Sequence, residues 1–139
     1  MLCSKGPTSA ITGTSNWQVI YSCTIPANTL SAGQAIRLTA SLSSGGSAGL
    51  DWGLFLNGVN VIDEGFPQNQ GTVYNVLIFD TGATTGEVGG IMPGGAAPWI
   101  APASVAISGL DWASTQTLDI EFILGGTATG RTFLVEVVN

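Results

Sequence analysis

Asp119 and Glu121 come closest, in type and spacing, to a pair of catalytic residues. They stand two positions apart in an alternating apolar segment, so both carboxylates are expected on one face of a β-strand. Two facing carboxylates are the acid and base of most glycoside hydrolases. The solvated outer face of a strand carries the same residue types, and this structural interpretation is the one that the sequence favours.

A second set of acids suggests oxygen ligands for calcium. Asp63 and Glu64 lie next to each other in a turn-like segment, and Asp51, Asp80 and Asp111 offer further carboxylates. Calcium is bound by clusters of carboxylate and carbonyl oxygens. The spacing of these acids matches no calcium-binding loop, and we therefore expect no metal and no cofactor.

The absence of histidine removes most of the remaining catalytic chemistry. Ser-His-Asp and Cys-His arrangements and histidine-containing metal sites are excluded. The chain also has no phosphate-binding glycine loop, no dinucleotide fingerprint and no zinc-binding cysteine spacing. The sequence predicts a protein that is not an enzyme and that has no catalytic residues.

The four tryptophans could do a different kind of chemistry: Trp17, Trp52, Trp99 and Trp112. Aromatic faces can stack on sugars, and several lectin domains are β-sandwiches. Tryptophan also removes a large apolar area from water when it lies in a core or a protein interface. The core or interface interpretation is favoured, and carbohydrate binding stays open as the alternative.

The chain has few charged side chains, so hydroxyl and backbone groups must supply most of the polar contacts of its surface with water. Twelve of the 139 side chains are charged, against 27 serines and threonines and 20 glycines. The net charge of −6, with Lys5, Arg37 and Arg131 as the cations, argues against nucleic acid and against an anionic membrane surface. Because charge-poor surfaces repel their neighbours weakly, we expect a subunit that associates with other protein subunits.

Alternating apolar residues, rather than a helical period, run through the chain. Candidate strands lie at 17–25, 36–42, 50–56, 59–62, 73–79, 105–107, 110–112, 118–124 and 133–138. Asn57-Gly58 is a strong hairpin signal between two of them, and residues 125–130 are expected to form another turn. The sequence therefore predicts an all-β fold, an antiparallel, jelly-roll-like β-sandwich of about eight strands that forms one domain over residues 17–139.

The two cysteines lie in and before the first candidate strand. Its alternation places one set of residues on a single face: Trp17, Val19, Tyr21, Cys23 and Ile25. Cys23 is therefore expected to be a small core side chain. A bond from Cys23 to Cys3 is open, but no secretory signal is visible, and a reducing cytoplasm argues against the bond.

Two segments lack the alternating apolar pattern that is typical of strands. Residues 1–16 are small and polar, and we expect an extended arm that a partner subunit holds in place. Residues 80–104 are rich in glycine and proline, and we expect a long loop that docks on a neighbour or folds back on the sandwich. Large apolar residues are the candidate interface residues: Leu2, Ile11, Ile91, Met92, Trp99, Ile100 and Trp112.

Residues 17–40 resemble part of a known group of proteins. They consist of a strand, the corner Pro-Ala-Asn-Thr-Leu at 26–30, and a second strand that contains Arg37. This arrangement resembles the opening of small jelly-roll proteins in the virions of tailed bacteriophages. Those proteins include trimeric head decoration (cement) proteins and the head modules of tail fibres and tailspikes. The resemblance implies assembly without catalysis.

A stand-alone module of 139 residues fits a decoration protein better than a fibre. We therefore expect a homotrimer on the head surface of a virion, made in the bacterial host cytoplasm. It would stabilise the head by bridging copies of the major capsid protein, with no nucleic acid, membrane or cofactor as a partner. The alternative is a tail-associated module that binds a receptor or a carbohydrate.

Overall fold

The computed structural model shows two antiparallel β-sheets packed face to face as a sandwich. It describes residues 1–31, 33–46, 50–66, 71–82, 85–94, 97–100, 105–108, 111–123 and 125–139. At residues 50, 62–66, 71, 72, 74, 79–82, 85–94, 97–100 and 105–108 the description is of the backbone. Within these ranges there is no helix, and thus none of the length and hydropathy needed to cross a membrane.

The described part of the chain forms twelve strands. In chain order they are β1 (Cys3–Lys5), β2 (Ile11–Thr12), β3 (Gln18–Ile25), β4 (Ala35–Gly45), β5 (Leu50–Leu56), β6 (Val59–Phe66), β7 (Gly71–Gly82), β8 (Thr85–Gly94), β9 (Ala97–Ile100), β10 (Val105–Ser108), β11 (Gln116–Ile123) and β12 (Thr127–Val138). The eight-stranded sheet has the order β1-β12-β4-β7-β8-β10, with β2 paired to β12 and β9 to β8. The four-stranded sheet has the order β3-β11-β5-β6. The antiparallel β-sandwich predicted from alternation is confirmed.

The core lies between the two sheets because each long strand turns every second side chain inward. Along β11, the side chains of Leu118, Ile120 and Phe122 are fully buried. Leu38 and Ala40 of β4 close the core from the other sheet. Burying a leucine, isoleucine or phenylalanine contributes on the order of 1.5–3 kcal/mol, so this alternation is enough to select the sandwich.

The Asn57-Gly58 turn joins β5 to β6, as the sequence predicts. Asn57 and Gly58 have φ angles of 50° and 76°, the left-handed values that a two-residue hairpin turn requires. Asn57 also reaches the neighbouring strand: its Oδ1 accepts the Thr117 N–H at 2.8 Å, and its Nδ2 donates to Gln116 Oε1. The turn is thus fixed both by its own backbone and by β11.

The prediction of which side chains of the first strand are buried is correct for the second half of β3 and wrong for the first half. Tyr21, Cys23 and Ile25 are buried, but Val19 is 49% exposed and Ile20 is buried instead. The pairing of β3 with β11 skips Ile20, which is the extra residue of a β-bulge. A bulge shifts the alternation by one residue, so the side chains before it exchange faces.

The N-terminal arm is held by its own chain, which differs from the expectation that a partner must order it. β1 and β2 both pair with β12 and continue the eight-stranded sheet at its edge. Leu2 N–H donates to Val135 O at 2.7 Å, and Gly13 N–H donates to Gly126 O at 2.7 Å. The ladder supplies the order that the small, polar side chains cannot supply by burial.

Cys3 and Cys23 form a disulfide, so the expectation that they remain unbonded is wrong. Cys3 stands opposite Val135 at the sheet edge, and Cys23 points inward from β3 of the other sheet. Their Cα atoms are 6.0 Å apart, within the range that a disulfide spans. The bond therefore ties the two sheets together at the open edge of the sandwich.

The segment predicted as a long loop contains two further strands, β8 and β9. β8 pairs with β7 on one side and with β9 on the other. Together with β1 and β2, these strands bring the number of strands above the predicted eight. Two smaller corrections concern the second half of the chain. Trp112 begins a turn rather than ending a strand, and β12 starts at Thr127 inside the predicted turn.

Candidate functional site

The outer face of the eight-stranded sheet is lined by hydroxyl groups. Antiparallel register places a set of described residues of β1, β12, β4 and β7 on it, which we call the hydroxyl face: Ser4, Thr39, Ser41, Ser43, Val73, Asn75, Leu77, Thr129, Thr132 and Leu134. Thr39 donates its hydroxyl to Asn75 Oδ1 at 2.9 Å across the strands. Val73 is 43% exposed beside them. The face is broad, polar and open to a partner.

The hydroxyl face also carries an ion pair between Arg37 and Glu136, and Arg131, which the pairing of β12 with β4 skips, is exposed next to Thr132. Arg37 stands opposite Glu136, and both its Nε and Nη2 donate to Glu136 Oε1, at 2.9 and 2.7 Å. The two side chains keep 47% and 30% of their surface in solvent. An exposed pair of this kind contributes at most about 1 kcal/mol. Its main consequence is that the charges of Arg37 and Glu136 cancel each other.

The outer face of the four-stranded sheet has a different chemistry. Register places Asp51, Phe55, Asp119 and Glu121 on it, with Val19 at its β3 side, and we call this set the acidic face. Asp119 lies opposite Phe55, and Glu121 lies opposite Gly53. The structure thus confirms that the two carboxylates share a face, and it places them on the central strand β11 rather than at a sheet edge.

An aromatic pair covers part of the acidic face. Trp17 precedes β3, and its ring meets that of Phe55 edge-to-face with 5.0 Å between centroids. Phe55 is only 8% exposed although it points away from the main core. Edge-to-face pairs add about 0.5–1.5 kcal/mol to the burial of the rings. Trp17 therefore forms a small second core with Phe55 outside the sandwich.

One carboxyl group of the acidic face has a shifted pKa. Burial raises the pKa of Glu121 above its ordinary value, and the negative charge of Asp119 raises that pKa further. The Oδ1 atom of Asp119 is buried and has no hydrogen-bond partner among the described residues. Two carboxylates next to an aromatic ring can accept hydrogen bonds from the hydroxyls of a sugar.

The calcium hypothesis gains no support from the part of the chain that is described. No group of three or more acidic, cysteine or histidine side chains there could hold a metal ion. Asp51 lies on β5 opposite Ile123, whereas Asp111 accepts hydrogen bonds within its own turn from Ala113 N and Ser114 Oγ. The side chains of Asp63, Glu64 and Asp80 lie outside the described residues.

The structure describes three of the candidate interface side chains, and all three contact the chain's own core. Leu2 and Ile11 are partly buried against it, one at each end of the arm. Trp112 is a core member at 6% exposure, as is Trp52 at 2%, so neither indole face is open to a sugar. Trp112 is thus a packing residue, and its place in a turn against Asn28 explains why the strand pattern misjudged it.

The other four candidates lie on the β8–β9 hairpin. The backbone register pairs Ile91 with Ile100 and Met92 with Trp99. Their side chains lie outside the described residues. The backbone alone brings these four residues together as two neighbouring pairs.

Sequence reasoning missed the two surfaces themselves. The hydroxyls at Thr39, Ser41 and Ser43 alternate along β4 with the buried apolar residues of the same strand, and this signal was available but was used only to find a strand. Phe55 gave no signal, because its neighbours Leu54 and Leu56 are also apolar and are fully buried or nearly so. Only the contact with Trp17 distinguishes it.

Comparison with known protein families, with characterised proteins and with solved structures finds no match for this chain.

Proposed function

We propose that this protein is a non-enzymatic structural protein of a tailed-phage virion, a homotrimeric decoration protein of the head. The hydroxyl face is the observation that carries the proposal. Covering ionised groups costs several kcal/mol for each ion, whereas a hydroxyl keeps a hydrogen bond with a partner at much smaller cost. A broad sheet face lined by hydroxyls, on which Arg37 and Glu136 neutralise each other, is therefore well suited to being covered by another subunit.

In this proposal two different surfaces contact the sister subunits and the major capsid protein. The hydroxyl face, with Thr39 and Ser41 at its centre, packs against sister subunits. The β8–β9 hairpin, with its Met92–Trp99 pair, contacts the major capsid protein. Interface cores favour methionine and aromatic side chains, which supports this division. The resemblance of residues 17–40 to small virion proteins supports the phage context.

Stabilisation of a shell follows from mass action. A protein that binds the assembled shell and not the free capsid subunits adds RT ln(1 + [L]/Kd), about 2.7 kcal/mol at a hundredfold excess over Kd. A trimer binds through three contacts at once, so each contact can be weak while the whole remains attached. No catalytic group is needed for this role.

Immunogold labelling of intact virions that encode this chain tests the proposal. Antibodies raised against the recombinant protein are expected to label the head surface evenly. Labelling confined to the tail would contradict the decoration role and favour the second candidate. An absence of label on particles, in a preparation where the antibody detects free protein, would overturn a virion role altogether.

The second candidate is a tail-associated carbohydrate-binding module. It rests on the acidic face, where an aromatic pair at Trp17 and Phe55 adjoins the carboxylates of Asp119 and Glu121. A glycan array separates this candidate from the first. Binding that disappears in Asp119→Asn and persists in Glu136→Gln, on the opposite face, would support it. An array without binding would remove it.

A further inference from the structure

The arm contacts the rest of the chain through backbone groups of β12, through the Cys3–Cys23 bond, and through Leu2 and Ile11, which pack against the core. Besides the β1 and β2 ladders, Thr8 N–H donates to Gly130 O at 3.0 Å, and Gly130 N–H donates to Thr8 Oγ1 at 2.9 Å. Residues 2–13 thus follow the edge of β12 from Val135 to Gly126. Backbone ladders of this kind form equally well with an identical strand from a second copy.

The surface under the arm is a socket, which we define as the β12 edge with Tyr21, Cys23 and Gly130. Tyr21 donates its hydroxyl to Gly6 O at 2.8 Å and stacks on Phe133 with 4.9 Å between centroids. A Cβ on Gly130 would enter the Tyr21 ring, so glycine is required there. Every part of the socket belongs to residues 17–139. None of it depends on which copy supplies the arm.

The link between arm and sandwich is short and lightly held. Residues 13–16 turn the chain from the eight-stranded sheet to β3, and their hydrogen bonds centre on the exposed Thr14 hydroxyl. This hydroxyl donates to Asn16 O at 3.2 Å and accepts from Gln18 Nε2 at 2.8 Å. Opening the link breaks few buried contacts, and four extended residues span at most about 14 Å.

We propose that in the assembled protein the arm of one copy occupies the socket of the next copy, where Cys3 bonds covalently to Cys23 of that neighbour. The inference rests on the proposed function only in requiring that copies lie side by side. An exchange of identical elements conserves every contact of the closed chain, which makes it a low-cost route to an oligomer. Passed around a ring of three copies, the arms form a closed, covalently linked trimer.

The exchange needs a catalytic thiol but no net oxidant. A small monothiol, as thiolate, attacks Cys3 Sγ, forms a mixed disulfide there and releases the Cys23 thiolate of the same chain. The freed Cys23 thiolate of one copy then attacks Cys3 Sγ in the mixed disulfide of its neighbour. A bond between the two copies forms, and the monothiol leaves as thiolate. The number of protein disulfides is unchanged at the end.

Isotope mixing of the unmodified protein tests the exchange. Equal amounts of ¹⁴N-labelled and ¹⁵N-labelled chain are incubated with reduced and oxidised glutathione, alkylated and digested, and the Cys3–Cys23 linked peptide is weighed by mass spectrometry. We expect linked peptides with one light and one heavy half. Linked peptides that remain entirely light or entirely heavy would overturn the proposal.

Two complementary variants give an independent readout. Cys3→Ser and Cys23→Ser cannot form the bond within one chain, but a mixture can form it between chains. With oxidised glutathione as the oxidant, we expect the mixture to shift from monomer to heterodimer on a non-reducing gel. The matched control replaces the Cys23→Ser partner by Cys3→Ser/Ser9→Cys/Cys23→Ser, whose thiol is on an exposed part of the arm. Heterodimer no more abundant than in that control would contradict the exchange.

The results separate this inference from the proposed function. Mixed-isotope peptides without labelling of virions would leave arm exchange standing and remove the decoration role. Labelled heads without mixed-isotope peptides would leave the decoration role and confine the arm to its own chain. The isotope experiment uses the wild-type chain, so a variant that fails to fold does not affect its result.

Discussion

The two outer faces of this sandwich differ in their charge and in whether their apolar side chains are covered by the chain itself. The hydroxyl face leaves Val73 and a row of threonines and serines open and balances its one charge pair. The acidic face gathers Asp119 and Glu121 and covers Phe55 with Trp17 of the same chain. An apolar group that its own chain covers, such as Phe55, contributes to stability. The proposed function gives the open hydroxyl face a role in assembly.

Phe55→Ala is expected to have the largest effect on the free energy of unfolding. Loss of a buried phenylalanine costs about 3–5 kcal/mol, and Phe55 is 8% exposed. Val73→Ala on the hydroxyl face removes a 43% exposed side chain, and we expect a change within about 0.5 kcal/mol. Urea unfolding measures both.

Equal, small costs for Phe55→Ala and Val73→Ala would show that Trp17 does not cover Phe55 in solution. The difference between the two faces would then disappear for stability. Trp17→Ala offers a second check, because it should reproduce part of the Phe55→Ala loss. The two losses should not add, since each substitution removes the same contact.

The disulfide that joins the two sheets is expected to have the next largest effect. Cys3→Ser opens a link across a sequence separation of 20 residues. Closing a loop of that size stabilises a folded chain by about 3 kcal/mol. We expect a reductant to lower the urea midpoint of the wild type to that of Cys3→Ser, and to leave the midpoint of Cys3→Ser unchanged. A reductant that shifts both equally would point to another cause.

On the hydroxyl face, Glu136→Gln is expected to cost little. The Arg37–Glu136 pair is exposed, and such pairs contribute about 0.2–1 kcal/mol. Added salt should remove most of the difference from the wild type, because exposed charges are screened. This expectation is for the dilute, monomeric protein, where a loss of several kcal/mol that salt does not change would contradict the exposure of the pair.

The acidic face should give the smallest effect, as a dependence of stability on pH. Burial and the nearby Asp119 raise the pKa of Glu121 in the folded protein, so the folded state holds the proton more tightly than the unfolded state. As pH rises from the ordinary value of 4.5 through the raised pKa, this residue makes folding less favourable. Glu121→Gln should flatten the urea midpoint over that interval, and a steeper dependence would contradict the shift.

Most of the fold could be predicted from the sequence, because alternation decides which face of a strand is buried. β11 shows this: Leu118, Ile120 and Phe122 are all buried, as the pattern indicates. The same rule fails at Ile20, where one extra residue in the ladder reverses the faces. A bulge is set by pairing with β11, which lies far along the chain, so the local pattern cannot reveal it.

The arrangement of the arm, the disulfide and the outer faces was harder to predict, because it too depends on contacts between segments that lie far apart along the chain. The arm looked unable to order itself because its side chains bury little, yet its backbone completes a ladder with β12. The Cys3–Cys23 bond likewise depends on bringing two sheets together. Composition predicts few charges at the surface, but it could not show that Asp51, Asp119 and Glu121 share one outer face.

The central claim is that sister subunits cover the hydroxyl face, and sedimentation velocity tests it most directly. Thr39→Lys/Ser41→Lys places two charges on β4 of that face, and Ser22→Lys/Thr24→Lys places the same two on β3 of the opposite face. With a reductant present, which opens any disulfide between copies, wild type and the β3 variant are expected to sediment as trimers and the β4 variant as a folded monomer. A wild type that sediments as a monomer, or a β4 variant that remains trimeric, would contradict the claim.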